Sequence, residues 1–229
     1  MDKKKIQLYY LPIQNDRCDG NFNDLMQFIS PAKKERIRKF RFSIDQKLSL
    51  YAELLVRIIA CQSLQIENDN LEFSINEFGK PYLKDKPFNF YFNLSHTKSA
   101  VVAAVSNQEI GVDIERKAET NLGIAFRFFT KSEYNYIDEF PDKREERFYE
   151  VWTKKEAYIK FVGKGLAIPL NSFNVFDHKI ASRIKTLHQD NYIISVCSDI
   201  VEADVVFVKV NEDWVAWQSN KILKKKFHA

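Results

Sequence analysis

Leu48, Tyr51, Leu54, Leu55, Ile58 and Ile59 fall at helical spacing, and from Leu71 onward the apolar repeat shortens to that of strands. The change happens twice. A second helix is predicted over Arg144–Val162, and short strands are predicted again between Phe173 and Trp217. A chain that alternates in this way lays helices on sheets, so the expected class is α+β. Ser30-Pro31 reads as an N-cap followed by proline at the first helical position. Ser43-Ile-Asp-Gln46 reads as a capping box, so the first third is predicted helical. Strands are predicted at Leu71–Ile75, Phe88–Leu94, Ala100–Val105 and Gly111–Glu115, with a turn at 76–81 and a hairpin turn at Ser106–Glu109.

Two likenesses inside the chain point to duplication. Phe42-Ser43-x-x-Gln46 and Phe129-Thr130-x-x-Glu133 each place an aromatic residue before a capping box, and 101–106 (VVAAVS) resembles 193–198 (IISVCS). Two α+β lobes of similar build, divided near 107–111, are therefore expected, with a site in the cleft between them.

Composition narrows the class further. Nineteen Phe and ten Tyr against six Gly and six Pro describe a filled core with few structureless loops, which excludes low-complexity and disordered readings. The net charge of +4 suits an anionic ligand or an acidic partner without requiring nucleic acid. Cys18, Cys61 and Cys197 are too scattered for a disulfide framework and read as reduced thiols. No run approaches the ~18 consecutive apolar residues of a membrane span, and no apolar stretch follows Lys3–Lys5 to make a signal peptide, so a cytoplasmic protein is expected.

Three places carry residues fit for chemistry. In Gly111-Val-Asp-Ile-Glu115, strand alternation puts Asp113 and Glu115 on one face, where a hard cation with oxygen ligands would satisfy both; the alternative is an apolar-in, acidic-out strand. In Trp152-Thr-Lys-Lys-Glu-Ala-Tyr-Ile-Lys160, the four-residue step puts Trp152, Glu156 and Lys160 on one helix face. Glu156 then offers a third carboxylate and Lys160 a cation for an anion; the alternative is a surface Glu–Lys pair beside a buried Trp. Gly79-Lys80-Pro81 and Phe92-Asn-Leu-Ser-His-Thr97 supply Lys80, Ser95 and His96 for binding phosphate. Ser95 and His96 are neighbours on a strand and so point to opposite sides, which argues against a hydrolytic triad. His178, His188 and His228 lack zinc spacing, and no phosphate-binding glycine loop is present. Lys33–Arg41 reads mainly as a solvated helix face.

In their order and spacing these motifs resemble the 4′-phosphopantetheinyl transferases of the Sfp type, over about Phe28 to Phe176. The resemblance implies a monomer of two lobes related by a pseudo-twofold, with 1–108 holding the nucleotide end of coenzyme A and 109–229 carrying the metal strand and catalytic helix. It implies transfer of the phosphopantetheine arm of coenzyme A to a serine of an apo carrier protein, peptidyl or acyl, with release of adenosine 3′,5′-bisphosphate. Asp113, Glu115 and Glu156 match Mg²⁺ ligands, and Lys160 matches a diphosphate contact. Lys80, Ser95 and His96 match coenzyme-A contacts, His96 near the 3′-phosphate, and Lys33 and Arg36 match the basic residues of the nucleotide end. Glu156, or a metal-held water, is the candidate base for the carrier serine. The sequence departs from the pattern at Thr97, for a second Ser, and at Leu48, for a basic residue whose place Lys47 is expected to take. Leu122, Ile124, Phe126, Phe128 and Phe129 lie where relatives grip the carrier, Phe128 and Phe129 being expected in the core. Two other classes fit parts of the pattern: a phosphate- or nucleic-acid-binding module on the basic helix, and a Mg²⁺ phosphohydrolase using the same carboxylates.

Overall fold

The structure, a computed structural model, describes residues 5–14, 20–84, 90–120 and 122–224. Cys18, His228 and the start of the strand predicted at Phe88 lie outside the described residues. The first half runs β1 (Lys5–Pro12), α1 (Gly20–Leu25), α2 (Pro31–Arg38), α3 (Ser43–Leu64), β2 (Phe73–Ile75), β3 (Pro81–Leu83), β4 (Tyr91–Thr97) and β5 (Ala100–Ser106). The second runs β6 (Ile110–Arg116), α4 (Gly123–Phe128), α5 (Lys131–Asp138), α6 (Arg144–Val162), α7 (His178–Ala181), β7 (Ile184–Gln189), β8 (Tyr192–Ser198), β9 (Asp204–Lys209) and α8 (Glu212–Gln218).

The duplication predicted from sequence is visible in the chain path. β1, α3 and the β4–β5 hairpin form a strand–helix–hairpin unit in which β5 returns antiparallel beside β1. β6, α6 and the β7–β8 hairpin trace the same path, with β8 antiparallel beside β6. The like stretches 101–106 and 193–198 are the equivalent central strands β5 and β8. β9 breaks the symmetry by crossing to the first sheet, where it lies parallel to β1 and gives the order β4-β5-β1-β9 against β6-β8-β7.

Alternation along the strands builds four layers. Val101, Ala103 and Val105 of β5 face a core with Leu50, Leu54 and Ile58 of α3, while Ala100, Val102 and Ala104 face a second core shared with Val112 and Ile114 of β6. The two sheets thus stack face to face, with α3 outside one and α6 outside the other. Each central strand is covered on both sides. That is why β5 reads as a continuous apolar run.

Several sequence expectations need correction. The first third is not wholly helical, because β1 opens it; its strand partners are β5 and β9, both remote in sequence. Ser43 is not an N-cap: Phe42 holds that position without a side-chain bond, and Gln46 Nε2 donates to the Phe40 carbonyl. Thr130 does form a capping box with Glu133, but on the short α5 rather than directly on α6. Ser106–Glu109 is no hairpin turn, since it carries the chain from β5 to the other sheet. The segment predicted as strands alone also contains α7 and α8.

Candidate active site

The site forms along one side of the stacked sheets, where an edge strand of each comes together. β4 and β6 are both edge strands, and Asn93 Oδ1 of β4 accepts the otherwise unpaired Val112 N–H of β6 at 2.9 Å. Two residues further along β4 and one further along β6, Ser95 Oγ donates to Asp113 Oδ1 at 2.9 Å. Gly111 lets α6 come down on the same stretch of β6. A Cβ there would lie 2.1 Å from the Ala157 carbonyl oxygen.

That approach brings the predicted helix face onto the predicted strand face. Lys160 Nζ donates to Asp113 Oδ1 at 2.7 Å and to Ser95 Oγ at 2.8 Å. Asp113 is only 4% exposed, so the reading of an acidic face turned to solvent is excluded. Its Oδ2 is buried and has no hydrogen-bond partner. Burial and the neighbouring Asp113 push Glu115 up to about 7, against the pull of Trp152 and Lys160. Burial also raises Glu156, which feels Asp113 as well. An oxygen-only donor set around an orphaned buried oxygen fits a hard divalent cation.

His96, on the opposite face of β4 from Ser95, lines a groove of about 390 Å³ with Lys33, Arg36, Phe40, Ser49 and Glu53. Lys33 Nζ sits 3.7 Å from Glu53, and burial lowers its pKa below the ordinary lysine range. Burial, reinforced by Lys160, likewise lowers His96. This groove presents cations to an anion a short distance from Asp113. Lys47 does not contribute to it, because it is buried in an ion pair with Glu212 at 2.6 Å. Lys80 lines a separate cavity of about 250 Å³ with Glu156 and Lys160. Its ammonium donates to Glu109 Oε2, the Ile110 carbonyl and the Phe161 carbonyl, fastening the 76–81 turn to β6 and the end of α6.

The 4′-phosphopantetheinyl transferase superfamily profile matches residues 109–216, and that of the 4′-phosphopantetheinyl transferase N-terminal region matches 16–108. The chain is 40% identical to the Bacillus subtilis 4′-phosphopantetheinyl transferase ffp over 169 residues, 73% of each protein. It is 38% identical to 4′-phosphopantetheinyl transferase Sfp of Bacillus subtilis (strain 168), over 73% of this chain and 70% of that one. The chain belongs to the 4′-phosphopantetheinyl transferase family. A more distant relative, the transferase HetI of Nostoc, is 30% identical over 71% of this chain and 70% of its own.

The transferase also holds features that its sequence did not announce. Asn93 and Gly111 were missed; only Gly111, a glycine opening a strand, carried a local signal. Among the described residues, the ligand-type side chains that come within 4.8 Å of one another are Glu146, Glu150 and His188, not the three predicted carboxylates. In that group the His188 Nε2–Glu150 Oε1 distance is 3.0 Å, and Tyr136 donates to Glu150 Oε2 at 2.6 Å. Helical spacing links the two glutamates, but the packing of β7 against α6 that brings in His188 is not a local property. Phe128, expected in the core, is 50% exposed, and Phe126 is 71% exposed, while Phe129 is buried.

Proposed function

We propose that this transferase moves the 4′-phosphopantetheine arm of coenzyme A to a serine of an apo peptidyl or acyl carrier protein, with Mg²⁺, releasing adenosine 3′,5′-bisphosphate. The observation that carries the reading is the Ser95–Asp113–Lys160 cluster, which joins side chains of three motifs and both halves of the chain at one point. Residues 1–108 hold the nucleotide end, with Lys33, Arg36 and His96 taking the 3′-phosphate, while 109–229 carry the metal strand and catalytic helix. Lys80 shapes the wall beside Glu156, and Ser95 orients Asp113.

Asp113, Glu115 and Glu156 would hold the Mg²⁺, which supplies neutralisation of the diphosphate when bound. The carrier serine Oγ attacks the β-phosphorus of coenzyme A, and the bond from that phosphorus to the bridging oxygen breaks. Glu156 takes the serine proton. Lys160 offsets charge on the departing phosphate. The exposed Phe126 and Phe128, with Ile124, supply an apolar surface for the carrier. The protein acts as a monomer in the cytoplasm, where the free thiols of Cys61 and Cys197 suit a reducing compartment; among the described residues no helix is long and apolar enough to cross a membrane.

Intact-protein mass spectrometry of an apo peptidyl carrier protein tests this. Incubation with the transferase, coenzyme A and Mg²⁺ should add the mass of one phosphopantetheine arm. EDTA or Asp113→Ala should abolish the gain. No gain with any of several peptidyl and acyl carriers would overturn the reading.

A further inference from the structure

Lys160 has its ammonium committed to Asp113, one of the proposed metal ligands, and to Ser95 beside it. Nζ lies 2.7 Å from Asp113 Oδ1 and 2.8 Å from Ser95 Oγ, and Ser95 gives its own hydrogen to the same carboxylate oxygen. Among the described residues no other partner holds that ammonium, and the side chain is 28% exposed against 6% for Asp113. It leaves α6 in the last turn before Gly163, where the helix ends in a left-handed residue. A lysine stem rooted there can move its head group without disturbing the helix.

Two charges are therefore arranged to compete. The free oxygen Asp113 Oδ2 is buried and unpartnered, so the carboxylate has one side given to Lys160 and the other open to a cation. The three carboxylates are not drawn together as tightly as Glu146, Glu150 and His188 are. A positive charge at hydrogen-bond distance from a ligand carboxylate lowers what a second cation gains there. A diphosphate reverses this, because it offers the lysine a stronger partner and adds negative charge for the metal.

Resting on the transferase reading above, we propose that Lys160 is the built-in counter-ion of Asp113, so that the divalent cation binds tightly only when the diphosphate of coenzyme A has drawn the lysine away. Metal and coenzyme A then bind as a coupled pair, each tightening the other by the same factor. Lys160 sets the strength of that coupling, in addition to its contact with the phosphate.

The test is a Mn²⁺ titration of chelator-treated protein, with free Mn²⁺ read by electron paramagnetic resonance. It is run on the unaltered protein, Lys160→Met, Lys160→Arg and Asp113→Asn, first without coenzyme A and then with it, correcting for Mn²⁺ held by coenzyme A alone. Without coenzyme A, Lys160→Met should bind Mn²⁺ roughly tenfold more tightly than the unaltered protein, as expected for removing a partly buried cation at contact distance. Lys160→Arg should remain near the unaltered protein. Coenzyme A should tighten Mn²⁺ far more in the unaltered protein than in Lys160→Met. Lys160→Gln replaces the methionine variant should that one fail to give a native circular-dichroism melt. Equal or weaker Mn²⁺ binding by Lys160→Met overturns the counter-ion role while leaving the transferase reading standing. If the unaltered protein with coenzyme A takes up no Mn²⁺ that Asp113→Asn loses, the metal assignment itself falls.

Discussion

Gly111 has no side chain because the fold leaves no room for one. Besides the Ala157 carbonyl, a Cβ there would stand 2.3 Å from the Phe161 backbone nitrogen, and backbone atoms cannot swing aside as a side-chain tip can. The strand and helix touch through main chain, and that contact is what sets Asp113 of β6 against Lys160 of α6. Gly111→Ala should therefore push the two elements apart, costing about 1–3 kcal/mol of stability as overpacked sites do. The loss should reach the site as well. A urea melt should show the lowered midpoint, and transfer to a carrier should fall more than the melt alone explains under conditions where the variant is folded. Unchanged stability would mean that the helix can slide over the strand. The glycine was legible as an oddity in a strand, but its reason was not, because the atoms it avoids lie beyond α4 and α5, in the second half of α6.

At the scale of elements, α6 is a three-sided part. Thr153 Oγ1 meets Ser195 Oγ of β8 at 2.8 Å and seats the helix on its sheet, and Glu156 and Lys160 face the cleft. On the far side Lys155 is wholly buried. Its ammonium donates to the Leu170 carbonyl at 2.7 Å, the Phe173 carbonyl at 2.9 Å and Glu133 Oε2 at 2.8 Å. Glu133 in turn accepts the backbone N–H groups of Thr130 and Val175. One ion pair thus ties α5, α6 and the following loop together behind the face that carries Glu156 and Lys160. Removing one partner strands the other charge in the interior, so Lys155→Met should cost about 3–5 kcal/mol. Lys155→Met combined with Glu133→Gln should recover part of that loss in the same denaturant titration; an additive loss would deny that the pair acts as a unit. Lys155 drew no notice in the sequence, where it read as one more basic residue beside Glu156. Elements set by local signals were legible: α2 starts at its Ser-Pro cap and α6 spans its predicted residues. The carboxylate face of β6 and the step of Trp152, Glu156 and Lys160 were legible for the same reason. What depended on remote pairing was not. β1 needs partners from β5 and β9, and the 106–109 segment looked like a hairpin because nothing nearby says that β6 prefers β8.

The whole molecule is held as one unit by features that ignore the boundary between its halves. β9 belongs by sequence to the second half and by pairing to the first, lying beside β1 from Lys5↔Asp204 to Tyr10↔Lys209. Ile6, Leu8 and Tyr10 of β1 share a core with Ile194 and Val196 of β8, and Lys80 of the first half bonds Glu109, Ile110 and Phe161 of the second. Differential scanning calorimetry should accordingly give one cooperative transition, with the calorimetric and van't Hoff enthalpies equal. Two resolved transitions would show that the halves melt independently. The parallel pairing of β1 with β9 also bears on how the chain is made. A nascent chain can close α3 on the β4–β5 hairpin early, yet the open side of β1 stays without its neighbour until residues 204–209 have been synthesised. Contacts joining such distant segments form slowly, because the long intervening loop must close before they are rewarded. Residues 5–12 are then the stretch of the first sheet with the longest exposure to mispairing, and the stretch a holdase chaperone would have most reason to cover.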